Sequence, residues 1–138
     1  MFKRLLSSEP FFETGLFIIR LFLALMLIRH GIEVFDPPKM ADYAKWMTDL
    51  HFPSPKLMAY LGKGGEFVGG ILVLFGFLFR PALIALMIIF LSITFKMGEG
   101  RILMEDQHPF LFVVIFLVYF FLGAGKWSVD HKLFNKKR

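Results

Sequence analysis

The chain has 138 residues, 57% of them hydrophobic and 17% aromatic, with 19 Phe and a mean hydropathy of +0.63. Soluble domains average about 45–50% apolar, so the surplus of Phe and Leu must face lipid. The sequence has no Cys, which removes disulfides, thiolate nucleophiles and thiolate metal sites. The net charge of +5 comes from basic residues that flank apolar segments. It therefore reads as a topology signal, and nucleic acid is not an expected partner.

The opening stretch, MFKRLLSSEPFFET, lacks the apolar core and small-residue cleavage site of a signal peptide, and reads as an amphipathic lead-in at the membrane surface. Four apolar segments follow, with expected helices at 14–35, 57–79, 81–97 and 109–125. Alternating β patterning is absent, so the spans must satisfy their backbones as helices. The first segment carries Arg20, Arg29, His30 and Glu33. Each ionisable group in hydrocarbon costs on the order of 2.5–3.5 kcal/mol, so these residues need partners from later helices or a ligand.

Between the first two spans, Asp36 followed by Pro37 and Pro38 is a helix start. Met40, Tyr43, Ala44, Met47 and Leu50 then recur at helical spacing until Pro53 and Pro55 stop the run. The pattern predicts an amphipathic interfacial helix anchored by Tyr43 and Trp46. In the second span, Gly62, Gly65, Gly69 and Gly76 recur on one face, which predicts a close helix-packing seam beside Glu66. The stretch Gly123–Asp130 ends the fourth helix; with no preceding strand it is not a phosphate loop. Asp130 is expected to pair with Arg20 or Arg80, as a structural charge pairing.

Lys and Arg are concentrated beside the termini and at Arg80, while the opposite loops are diluted by Asp and Glu, so both termini are expected to be cytoplasmic. In that orientation Arg29, His30, Glu33, Lys63, Glu66, Lys96, Glu99 and His108 gather in the outer half of the bundle. One reading is that these charges neutralise one another and lock the helices, with Arg29 and Glu33 paired at i,i+4. The sharper reading is a ligand pocket. A quinone head group would be held by Arg29 or His30, with Glu33 or Glu66 moving protons and His108 at the edge. Haem between His30 and His108 is not favoured, and no metal is expected.

The residues assembled in this order resemble the DoxX family of small four-helix membrane proteins. The matching pieces are Arg20-Leu21-Phe22, His30-Gly31, Glu66 with Gly69-Gly70, Phe75-Gly76 leading to Arg80-Pro81, and Gly123-x-Gly125-x-x-Ser128-x-Asp130. Two positions depart from the pattern: Glu33 stands where a lysine is expected, and Ala124 where proline is common. The resemblance implies a multi-pass protein of the bacterial inner membrane. It also implies an association with redox, since some relatives are subunits of a thiosulfate:quinone oxidoreductase and others are linked to oxidative-stress complexes.

The expected architecture is an all-α, polytopic four-helix membrane bundle, a single unit over 1–138, with an interfacial helix between helices 1 and 2. The expected function is a quinone- or redox-associated subunit, not an enzyme alone, whose partners are the bilayer and other membrane subunits or further copies of itself. The alternatives are a non-catalytic assembly or scaffold subunit and a small-molecule or lipid carrier.

Overall fold

The computed structural model describes residues 12–97 and 107–134. The lead-in up to residue 11 and the outer charge Glu99 lie outside the described residues. Every regular element within them is helical. Helix α1 is Phe12–Gly31, continued by a 3₁₀ turn at Ile32–Phe35; α2 is Pro37–Asp49 and α3 is Pro55–Phe75. Helix α4 is Phe79–Ser92, followed by a π-helical turn at Ile93–Met97; α5 is Gln107–Leu122 and α6 is Val129–Phe134.

Three stretches, Phe12–Phe35, Pro55–Phe75 and Phe79–Lys96, are long and apolar enough to cross a membrane, and His108–Leu122 is a shorter apolar helix. Helix α3 is central, packed against α1, α2 and α4, while α5 packs on α4. The core between them is built from Leu23 and Leu27 of α1, Val73 of α3, Leu83, Leu86 and Phe90 of α4, and Val113, Phe116 and Tyr119 of α5. Phe90 packs at a tilt on Phe112 and edge to face on Phe116, and Phe79 meets Tyr119 edge to face. Large side chains such as Phe22, Phe75, Ile88 and Phe121 point outward. Burial on one stripe and apolar exposure on the rest is what a bundle surrounded by lipid requires.

The element boundaries have local causes. Gly76 adopts φ +66° and closes α3, with Phe77 N–H bonded to the Leu72 carbonyl. Helix α3 therefore stops at Phe75, and the expected run to 79 is broken by a left-handed cap. Gly76 is a turn residue and is no part of the packing seam. Gly62 also leaves the seam, because a side chain there would meet nothing within 4 Å. Gly65 and Gly69 do pack, against Ile89 and Leu86 of α4. The most confined of the described glycines is Gly31, which lies outside the glycine spacing of α3. A Cβ there would collide with the backbone of Phe67, with the Glu66 carbonyl carbon only 2.8 Å away.

Helix α2 forms as its periodicity predicts. Asp36 caps it, accepting from Lys39 N–H, and Pro37 and Pro38 occupy its first turn. Its apolar stripe is turned onto the bundle: Met40 and Met47 are buried with Ala59, packed by Val34, Tyr43, Phe52 and Met58. Helix α2 thus roofs one end of α3.

The contrast between two glycines tests this packing. Gly31→Ala should lower stability in detergent by about 1–3 kcal/mol, because the added methyl overpacks a backbone contact. Gly64→Ala, where a Cβ meets nothing within 4 Å, should raise it by about 0.5–1 kcal/mol. Equal thermal shifts for the two variants would remove the α1–α3 contact from the account.

Candidate functional site

The two ends of the bundle handle their polar groups differently. At one end Arg20 is buried. Its guanidinium donates to the carbonyls of Ala124 and Trp127 in the loop after α5. Arg80 Nε donates to the Phe120 carbonyl at 2.9 Å. Asp130 accepts from Leu78 N–H at 2.9 Å and Phe79 N–H at 2.8 Å, capping α4. The expected pairing of Asp130 with Arg20 or Arg80 is corrected accordingly. Arg80 satisfies a carbonyl left over at the end of α5, Arg20 satisfies carbonyls of the loop that follows it, and the carboxylate satisfies amides left over at the start of α4. Ser128, buried beside Gly76, bonds back to the Gly125 carbonyl. Lys126 N–H donates to Glu13, and Tyr119 OH to the Leu16 carbonyl, which ties α1 to α5. This end is a clamp whose groups are matched to one another.

At the other end the charges collect around Lys63 on α3. Its ammonium lies 3.2 Å from Glu33 Oε2 and 3.5 Å from Glu66 Oε2. It also sits 4.6 Å above the Tyr43 ring. Glu33 takes a second cation, Lys39, at 3.3 Å, and accepts a 2.6 Å hydrogen bond from Tyr43 OH. Two ammonium groups thus face two carboxylates, and the cluster is neutral with all four ionised. Lys63, Glu33 and Glu66 expose 15%, 22% and 5% of their side chains. That degree of burial strengthens each contact relative to a surface pair. The Tyr43 phenol is pushed up, first by burial and then by its donation to Glu33.

A cavity of about 390 Å³ opens beside the cluster, between α2, α3 and α4. Met47, Met58, Ala59, Ile88, Ile89 and Ile93 make its walls apolar, while Lys63, Glu66 and Tyr43 supply the polar part. Ligand sites of about 300–1,000 Å³ with mostly apolar walls and a few converging polar groups are the usual form of a small-molecule pocket. Gly62 lines the cavity, and its missing side chain leaves space there.

Among the residues expected from the sequence, Glu33 and Glu66 are brought together through Lys63. Arg29 and His30 are exposed at the end of α1 and do not line the cavity, nor does His108, exposed at the start of α5. The expected Arg29–Glu33 pair does not form. The chain tightens into a 3₁₀ turn after Gly31, which breaks the register that sets residues i and i+4 together. Lys63 and Tyr43, expected only as an outer-half charge and an interfacial anchor, also belong to the cluster. The i,i+3 spacing of Lys63 and Glu66 and the place of Tyr43 on the stripe of α2 were the available signals.

Four apolar helices with buried, mutually matched charges define an all-α membrane bundle. A family model described as DoxX matches residues 15–99, and the chain belongs to that family. No curated protein and no solved structure matches the chain significantly.

Tyr43→Phe, Glu33→Gln and the double variant should show a coupling of about 1.5–3 kcal/mol, the range for a hydrogen bond to a charged group. The raised phenol dictates a direction with pH. The Tyr43 contribution should be complete below the ordinary tyrosine value and decline as pH climbs through the raised one. Tyr43→Phe should flatten that alkaline decline, and an unchanged decline would assign it to another group.

Proposed function

We propose that the protein is a quinone- or redox-associated subunit of the bacterial inner membrane, holding an amphiphilic ligand in the cavity beneath α2. The single observation behind this reading is an apolar cavity with a neutral, four-charge cluster at one end. Such a cavity suits a ligand with a lipid-like body and a compact polar head. Glu66 and Lys63 are the residues proposed to meet that head, with Glu33 and Tyr43 holding Lys63 in place. Arg29, His30 and His108 are not in the proposed contact set. The redox association comes from the family resemblance. Electrons would have to reach a bound quinone from another chain or a soluble donor, so the proposed setting is a larger membrane complex.

The proposed orientation places the Arg20 end in the cytoplasm, with the cavity in the outer half of the membrane. Lys3, Arg4, Lys126, Lys132 and the basic residues 136–138 then lie inside, as the positive-inside rule favours. A periplasmic reporter fused after Arg138 should be silent, and an active one would reverse the orientation.

Purification into nanodiscs directly from bacterial membranes, followed by mass spectrometry of the organic extract, tests the ligand. Quinone, summed over its oxidised and reduced forms, should be retained in stoichiometric amount. Gly62→Leu, which fills the cavity from a position with free space, should abolish retention without changing the thermal transition. Arg29→Ala and His30→Ala should retain it. Stoichiometric partner chains without quinone would favour a purely structural subunit.

A further inference from the structure

We infer that the cavity selects ligands whose head donates a hydrogen bond to Glu66, and so takes the hydroxyl-bearing, reduced form of a quinoid lipid in preference to the quinone. This inference rests on the reading of the cavity as a ligand site and concerns which head group it accepts.

It follows from the donors and acceptors that line the cavity. The Tyr43 hydroxyl is committed to Glu33, and the Ser92 hydroxyl donates to the Ile88 carbonyl of its own helix at 2.8 Å. The Lys63 ammonium is held between Glu33 and Glu66, over the Tyr43 ring. Trp46 stands half-exposed at the rim. The interior donors are therefore occupied. The acceptor side differs: Glu66 Oε2 is buried and has no hydrogen-bond partner, the one such side-chain atom found among the described residues. Lys63 neutralises it at 3.5 Å, an ion-pair distance longer than an ordinary hydrogen bond.

A buried carboxylate oxygen without a donor is costly, and a ligand that supplies the donor recovers that cost. A phenolic hydroxyl does so, with its ring and tail against Met47, Met58 and Ile89. A quinone offers only carbonyl oxygens. It would leave Glu66 without a donor and set a second acceptor against it. The same reasoning rejects the dimethyl ether of the hydroquinone, which has the same ring and tail and no donor.

The test uses the full chain in phosphatidylcholine nanodiscs, with Trp127→Phe introduced so that Trp46 reports alone. Decyl-tailed benzohydroquinone, kept reduced without oxygen, is compared with its quinone and its dimethyl ether. Affinities are expressed per mole fraction of probe in the membrane. The hydroquinone should bind at least about tenfold tighter than the other two, the size of a hydrogen bond to a charged group. Glu66→Gln, whose amide both donates and accepts, should bring the ratio close to one. The ratio for the unsubstituted Glu66 protein decides the matter alone if that variant does not fold. Equal binding of hydroquinone and quinone, abolished by Gly62→Leu, would overturn the donor inference and leave the cavity reading standing. Binding of neither probe, or binding indifferent to Gly62→Leu, would overturn the cavity reading itself.

Discussion

An ammonium group on a membrane helix has to be neutralised, and Lys63 meets that constraint by drawing on three separate elements. Glu66 comes from its own helix, Glu33 from the 3₁₀ turn after α1, and Tyr43 from α2. None of the three is close to Lys63 by chance. Glu33 reaches it because α1 tightens after Gly31, and Gly31 lets α1 lie directly on the backbone of α3. Tyr43 reaches it because the stripe of α2 turns onto Ala59 and Met58 instead of outward. The ion cluster and the packing therefore depend on each other. If the α1–α3 contact separates, Lys63 loses a carboxylate; if the charge is removed, Glu66 loses its counter-charge.

The contrast between the two ends gives this cluster its interest. At the Arg20 end the charged groups meet backbone groups of helix termini and of the loop after α5, and Gly76, Ser128 and Asp130 form one interlocked knot. That arrangement needs no ligand to complete it. At the Lys63 end the charges balance, but one carboxylate oxygen is left without a donor beside an apolar cavity. Polar groups buried in a membrane protein are expensive enough that an incomplete one points to use.

Much of the fold was legible in the sequence because lipid imposes such strong rules. Run lengths located the four apolar helices, Asp36-Pro37-Pro38 started α2, and Gly123 ended α5. The site was legible in part. Glu33 and Glu66 were identified because carboxylates stand out in apolar spans. Arg29 and His30 are expected in the pocket because they are donors at the outer end of the first span, but the 3₁₀ turn after Gly31 carries Glu33 toward α3 and leaves them on the exposed face of α1. The Arg20 and Asp130 partners were misjudged for a related reason. Sequence shows charges and not the free carbonyls and amides of helix ends and loops, which are the better partners here. Tyr43 looked like a headgroup anchor, since nothing local reveals that a tyrosine will meet a carboxylate on another helix.

The cavity beneath α2 is proposed to hold an amphiphile with its head at Glu66. The most direct measurement is photolabelling of the full chain in native-lipid nanodiscs, without oxygen, with a hydroquinone carrying a photoreactive group on its tail, read out by peptide mass spectrometry. The account predicts adducts on the cavity wall, at Met47, Met58, Leu61 or Ile89, that disappear in Gly62→Leu. Adducts confined to the exposed faces around Arg29 and His30 or along α5, unchanged by Gly62→Leu, would contradict it.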